Sequence, residues 1–375
     1  MKITRYIISL ALSLLPCLSG QVPGISRDLS GGRGGKVLRV ALVGDPQVDN
    51  AGELYYARNS VFKELASRKD LDFAIFLGDI VNEAPELLPQ MKESLDSLPF
   101  PYFSIPGNHD DPAVYRSVFG YRDTAFVSSG IRFILMDNSS GELTAEQKRT
   151  LRYHLELPSG RTVLCTHIPL IVCRDSSFAI VEGYGDVLLV SAHLHRVFRE
   201  TYQSGTEEVS VGATCGSWWR GPLENGIPHA LMNCGAPRGY FVAEFGRNGD
   251  YSLSYKAVGR NEHEQASVSR ISDSLYVNVW GGSPDGNVSV RLKSGGKTAR
   301  LQCAPSRSVA PEVREVIRKN AEAGPQWRKE HRAEFIPLRK LPSRHLWSCP
   351  VPENSVYDKI VVRYRDKRMK FKEIL

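Results

Sequence analysis

The residues best suited to chemistry in this chain stand directly after short apolar runs. Asp45 and Gln47 follow the run 37–44, Asp79 follows 73–78, and Asn108, His109 and Asp110 follow 102–105 through a Pro-Gly turn. His167 follows 162–166, and His193 with His195 follow 187–192. One such cluster alone reads as a polar turn, because Asn and Asp bond readily to their own backbone. Five in chain order are not accounted for by a solvated surface. Carboxylate, carboxamide and imidazole donors together suit divalent first-row metals. No cysteine belongs to the set, which argues against a structural zinc site. Seven donors exceed what one catalytic ion with open positions takes. Two ions about 3.5–4 Å apart, sharing a bridging carboxylate, fit better.

The intervening stretches supply elements that place these donors. The runs 37–44, 73–78, 102–105, 124–127, 132–136, 162–166, 187–192 and 209–212 read as strands. Between them, 51–67 places Leu54, Ala57, Val61 and Leu65 at helical spacing, and 85–98, 112–119 and 144–157 read as further helices. Thr144 with Gln147 three residues on predicts a capping box. Strands alternating with helices argue a layered α/β fold rather than a pure sandwich. In open α/β sheets ligands bind beyond the carboxyl ends of the strands, so folding should gather the donors on one rim.

Past Gly239 the pattern changes. The segments 240–245 and 251–258 alternate as a hairpin around Asn248-Gly249. Strands follow at 275–280, 288–292, 345–349 and 359–365, with a helical surface excursion near 314–322. The expected organisation is an α/β domain over 37–268 and a C-terminal β-sandwich domain over 269–375.

Composition narrows the setting. The 375-residue chain carries a formal charge of +7, much of it in 363–372. That basic end reads as a solvated edge strand with gatekeeper charges. No nucleic-acid partner is expected, because no recognised binding motif accompanies the charge. Lys2 and Arg5 precede the apolar run 6–18 and small residues at 19–20, the pattern of a cleavable secretory signal over 1–20. The run is short for a retained span, and no transmembrane anchor is expected. Pro16 before Cys17 fits a lipidation box poorly. A flexible leader over 21–36 follows, and the mature protein is expected to be periplasmic or secreted. Cys165 reads as a core residue, and Cys303 with Cys349 is a candidate bridge.

The ordered set Gly44-Asp45-Pro46-Gln47, Gly78-Asp79, Gly107-Asn108-His109-Asp110, His167 and Ala192-His193-Leu194-His195 resembles the calcineurin-like metallophosphoesterases over roughly 37–212. The resemblance implies a layered metallophosphoesterase-like fold with one metal on Asp45, Gln47, Asp79 and His195. It implies a second on Asp79, Asn108, His167 and His193, with Asp79 bridging and His109 facing the scissile bond. Two departures stand out. Gln47 occupies a position that is more often His, which points toward manganese, magnesium or ferrous iron beside zinc as the metal. Asn82 stands where many members have Asp, which removes the expected carboxylate partner of His109. Gly216-Ser217-Trp218-Trp219, Gly226-Ile227-Pro228-His229, Gly239-Tyr240 and His345-Leu346-Trp347 further resemble bacterial secreted phosphoesterases with a C-terminal β domain. Trp218-Trp219 reads either as packing or as a wall of the substrate pocket, and in the second case Arg220 and His229 would touch the substrate phosphate. His154, His263 and His331 stand apart as surface residues, and His345 packs beside Trp347.

The expected function is two-metal hydrolysis of a phosphoester, monoester or diester, on a small molecule or a lipid headgroup, with His109 serving the leaving group. The alternatives are a scaffold of the same fold without catalysis, and a surface- or carbohydrate-binding protein led by Trp280 and Trp347. Nothing in the sequence speaks to oligomeric state.

Overall fold

The run Leu38–Val43 is apolar on both faces and becomes the middle strand of a five-stranded sheet. The computed structural model describes residues 37–352 and 355–375; the expected signal and leader lie outside the described residues. The first sheet has the order Tyr251–Ala257, Gly239–Phe245, Leu38–Val43, Phe73–Leu77, Tyr102–Ile105. Its last three strands run parallel, with Val40 opposite Phe73 and Ala74 opposite Tyr102. The hairpin around Asn248-Gly249 forms and adds to this sheet antiparallel to Leu38–Val43.

A six-stranded sheet faces the first, in the order Thr124–Ser128, Ile131–Met136, Arg161–Thr166, Val187–Ser191, Glu207–Val211, Val197–Thr201. Its four central strands, from Ile131–Met136 to Glu207–Val211, are parallel. Aromatic rings fill the space between the sheets. Phe133 sits edge-on to Phe73 at 5.3 Å and to Phe245 at 5.7 Å, an arrangement favoured by the ring quadrupole.

Helices cover the outer faces. The expected helix over 51–67 is continuous but carries a π turn at Arg58–Phe62, with Asn50 capping its start. Pro112–Phe119 runs from an Asp111 cap to Gly120, whose left-handed φ of 82° ends the helix. Ala145–Glu156 has both bonds of the Thr144–Gln147 capping box. Several elements have no counterpart in the sequence reading, among them one helix and one strand of this part. The helix Ser177–Glu182 is too short to show a period, and Val197–Thr201 carries Arg199 and Glu200 where a strand would show apolar residues.

The C-terminal strands form two four-stranded sheets around one core that includes Val277, Val290, Trp347, Val362 and Tyr364. Cys303 and Cys349 are disulfide-bonded across this part. The helical excursion is longer than expected, Pro311–Glu330, with a break at Gly324 before Pro325. Lys297–Gln302 and Lys370–Ile374 are strands whose exposed polar residues gave no apolar alternation to find.

The basic C-terminal end is only in part the solvated edge that its charge suggested. Lys370–Ile374 is an edge strand, but Arg368 is buried and pairs with Glu207 of the six-stranded sheet. Arg199 and Asp366 form a second such pair at 2.6 Å. Sequence order hides both partners, which lie more than 160 residues apart. Among the described residues no helix is long and apolar enough to cross a membrane.

Candidate metal centre at the rim of two sheets

The parallel strands of both sheets end on one rim. The two sheets are joined there: Thr214 donates its N–H to the Gly44 carbonyl at 2.9 Å, and the His193 N–H reaches the Asp45 carboxylate at 3.2 Å. Five of the donors, Asp45, Gln47, Asp79, His193 and His195, have left-handed φ between 43° and 66°. Non-glycine residues adopt that conformation rarely and at a cost, and such residues cluster where a side chain must be aimed. The rim also needs glycine. A Cβ on Gly107 would lie 2.1 Å from Asp79 Oδ1, and one on Gly78 would lie 2.7 Å from His167 Nδ1.

Asp79 is the hub. Its Oδ1 accepts from the His109 N–H at 2.9 Å, and its Oδ2 lies 3.3 Å from His167 Nε2 and 3.4 Å from Gln47 Nε2. His167 Nε2 is also 3.0 Å from Asn108 Oδ1, and its Nδ1 is 2.7 Å from the Leu77 carbonyl and 3.7 Å from Asp45 Oδ1. The His167 and His193 rings meet edge-on at 5.1 Å. Donor atoms of Asp79, His167 and His193 all lie within 4.8 Å of one another. His195 stands on the Gln47 side, where the Cys215 sulfur is 3.7 Å from Gln47 Oε1 and 3.9 Å from His195 Nδ1. All seven expected donors are therefore at one place.

The electrostatics suit a cation. Burial pushes the Asp45 carboxyl up, and the nearby Asp79 carboxylate adds to the effect. Burial works against the Asp79 charge too, but the His167 charge and the hydrogen bonds to His167 and His109 outweigh it, so Asp79 sits low. Burial likewise opposes charge on His167, yet Asp79 and Asp45 raise it to about 9. His193 and His195 are held down at about 4, by burial first and then, among other charges, by neighbouring histidines. Neutral imidazoles keep the lone pair that a metal needs, and two buried carboxylates need more positive charge than one imidazolium supplies. The donor set fits a divalent metal.

Residues around the set have distinct jobs. His109 is half-buried, and its Nδ1 is 3.4 Å from the Glu83 carboxylate. Asn82, at the position that would carry the expected acid, instead accepts from Gln47 Nε2 at 3.3 Å. A carboxylate one residue later, Glu83, stands near the ring instead, without a hydrogen bond to Nδ1. Trp218 and Trp219 divide the two readings between them. Trp219 is buried and donates Nε1–H to the Pro46 carbonyl at 2.8 Å, while Trp218 faces His195 at 5.2 Å and His109 at 6.2 Å. His229 is not gathered with the donors: its Nδ1 is 3.0 Å from Glu224 across a two-residue hairpin. Arg220 stands near Asp49 and Glu53, the continuation of the Gln47 loop.

Asn138 and Cys215 escaped the sequence reading of the site, and Asp110 was noted there without a role. Asp110 accepts N–H bonds from Ile80, Val81 and Gly107 at 2.8–3.1 Å, tying the Asp79 and Asn108 loops together. Asn138 accepts from the N–H groups of His167 and Ile168 at 3.1 and 3.0 Å. It follows the strand Ile131–Met136 as the other polar residues follow theirs, and that position was the available signal. Cys215 had none, since an isolated cysteine after a strand is most simply core.

Residues 38–197 match the calcineurin-like phosphoesterase family, and residues 208–370 match the C terminal of calcineurin-like phosphoesterase. The chain belongs to the calcineurin-like phosphoesterases. It is 28% identical over 165 residues to a 3',5'-cyclic-nucleotide phosphodiesterase of Nostoc sp., covering 37% of this chain and 62% of that one. It is 25% identical over 196 residues to an Arcobacter nitrofigilis protein named "Probable glycerophosphodiester phosphodiesterase GpdQ", covering 42% and 72%. The match to the Nostoc relative thus falls short of two thirds of its length. Among solved structures, a dimetal phosphatase from Danio rerio aligns with a TM-score of 0.43 at 14% identity, over 64% of this chain and 95% of that one.

Proposed function

We propose that this chain is a metal-dependent phosphoesterase that uses two divalent ions. The first would be held by Asp45, Gln47, Asp79 and His195, and the second by Asp79, Asn108, His167 and His193. Manganese, iron, zinc or magnesium would suit this oxygen and nitrogen set. Ions held by these residues would supply positive charge for the phosphoryl oxygens and make a water easier to deprotonate for attack on phosphorus. The observation that supports the reading is the gathering of seven donors on one rim, with donor atoms of Asp79, His167 and His193 within 4.8 Å of one another and His193 and His195 held neutral.

The chain's own residues perform the remaining work. His109, beside the donors but tied to them only through its backbone N–H, gives a proton to the departing oxygen. The Glu83 carboxylate stands 3.4 Å from Nδ1. Trp218 walls the site on the His195 and His109 side. Asp110 and Asn138 hold the donor loops in register. The names of the relatives support a diester as the first substrate to try. We read the chain as an α/β domain over 37–268 with a β-sandwich domain over 269–375, exported by a signal at 1–20 to the periplasm or beyond.

The test is metal analysis of purified protein beside a panel of phosphomonoesters and phosphodiesters. Stoichiometric metal with turnover of at least one class, both lost on chelation and restored by metal, is expected. Metal-loaded protein that hydrolyses no member of the panel would count against the reading.

A further inference from the structure

We propose that Arg220 and Arg332 form an anion subsite at the edge of the metal rim, and that the substrate carries a second phosphate there beside the one cleaved. The substrate clause rests on the phosphoesterase reading above; the subsite itself does not.

The two arginines come from different parts of the chain. Arg220 lies two residues past Trp218, and its N–H bonds back to the Trp218 carbonyl at 2.7 Å, so the turn is tight. Trp218 in turn contacts His195 and His109. Arg332 lies just past the helical excursion Pro311–Glu330, which belongs to the C-terminal part. This excursion folds back onto the site loop. The Gly221 N–H donates to the Ala333 carbonyl at 2.8 Å, so the backbones at 220–221 and 332–333 meet, and the Arg332 charge acts on Arg220. Ser217 Oγ reaches the Pro337 carbonyl at 3.4 Å, and the buried Ile336 side chain packs under Gly221, where a Cβ would meet it at 3.1 Å. The Asn233 side-chain oxygen accepts from the Arg339 N–H at 2.9 Å, while the Asn233 backbone N–H donates to the His195 carbonyl at 3.1 Å. The contact is therefore built at several points and runs directly to a candidate metal donor.

The charges then call for a partner. Two guanidiniums repel, and neither has a carboxylate in ion-pair contact among the described residues. Burial and the Arg332 charge both lower the proton affinity of Arg220; Glu53 and Asp49 offset this only in part and sit on the Arg220 side. Arg332 is exposed. A protein gains nothing by holding two like charges together unless a third group of opposite sign joins them. Guanidinium groups match phosphate oxygens two at a time, so a phosphate is the natural third group. The cleaved phosphate sits with the metal donors. The one recognised here is a neighbour on the same molecule, as in a diphosphate-bearing ester.

The test uses full-length protein in two arms. In the first, metal-free protein is titrated with inorganic pyrophosphate by calorimetry. Arg332→Ala should weaken binding by about 10-fold, the loss of one charge-assisted contact at an exposed site, and Arg332→Lys should recover part of it. Arg332 is exposed, so thermal melts of the variants should superimpose on wild type. In the second arm, metal-loaded protein is given an ester bearing a diphosphate and, separately, bis(4-nitrophenyl) phosphate. Arg332→Ala should raise the ratio of the two KM values, diphosphate ester over bis(4-nitrophenyl) phosphate, at least about 5-fold, with the kcat ratio little moved. Equal pyrophosphate affinity in wild type and Arg332→Ala overturns the subsite, whatever is hydrolysed. Weakened pyrophosphate binding without turnover of any ester keeps the subsite and removes the hydrolase reading.

Discussion

Arg368→Met tests whether the C-terminal sandwich is latched to the α/β part by buried charge. In the native chain Glu207 accepts from Arg368 Nε at 2.8 Å, from the Tyr251 hydroxyl at 2.5 Å and from Lys367 Nζ at 3.0 Å. The Arg368 guanidinium also lies over the Tyr251 ring at 3.9 Å. Both partners of the central pair are only 7% exposed. Removing one partner of a buried ion pair typically costs about 3–5 kcal/mol, because the other charge is stranded. Here Lys367 and Tyr251 remain on Glu207, so about 2–4 kcal/mol is expected at neutral pH. Burial alone would raise the Glu207 carboxyl, but the bonds from Arg368, Tyr251 and Lys367 more than offset it and hold it at about 2. The sign follows. A carboxylate whose folded pKa lies below its unfolded value of about 4.5 stabilises above that value, and the contribution is lost as pH falls toward 2. The difference between wild type and Arg368→Met should therefore be full at pH 7, shrink below about pH 4.5 and be nearly gone near pH 2. Urea melts followed by tryptophan fluorescence across this range measure it, with equal m-values as the check on a shared unfolding transition. Glu207→Gln with Arg368→Met should cost less than Arg368→Met alone, since no charge is then stranded. A loss under about 0.5 kcal/mol at pH 7, or a loss that does not change with pH, refutes the latch.

Asp79→Asn removes the carboxylate at the hub and should lose bound metal and activity together, whereas His109→Ala should keep its metal while turnover falls about 10²–10⁴-fold. Metal analysis beside steady-state kinetics separates them, and loss of metal in His109→Ala would remove its leaving-group role. Gly107→Ala places a Cβ 2.1 Å from Asp79 Oδ1 and should lower metal affinity about 10–100-fold with the fold retained, as circular dichroism and metal titration would show. Replacing Cys303 and Cys349 by Ser opens a bridge that spans 46 residues, which should lower stability by about 2–4 kcal/mol; an unchanged melting temperature would speak against a stabilising bridge. Protein purified from its native host should begin near Gln21 and lie outside the cytoplasm, and intact 1–20 on that protein would refute export by cleavage.

Much of the site was legible because it is built from strand ends. A polar residue directly after an apolar run marks a strand's carboxyl end, and parallel strands put those ends on one side, so Asp45, Gln47, Asp79, Asn108, His167, His193 and His195 could be grouped without coordinates. Helices with caps or clear periods, such as Pro112–Phe119 and Ala145–Glu156, were legible for the same local reason. Tertiary structure alone decided matters that depend on residues distant in sequence. It gave Trp218 to the rim and Trp219 to the core, and it made Glu83 rather than position 82 the neighbour of His109. It also left His229 with Glu224, set Cys215 against Gln47, and buried Arg368 against Glu207. The short helix Ser177–Glu182 and the strand Val197–Thr201 were hidden because their stability comes from neighbours rather than from their own pattern. The segment after the C-terminal excursion meets the 216–221 loop through bonds of Ala333 and Pro337, residues more than a hundred positions further along the chain. Local pattern records how a segment pairs with its own backbone and with the core. Which charges meet across more than a hundred residues is set by packing, and no spacing in the chain encodes it.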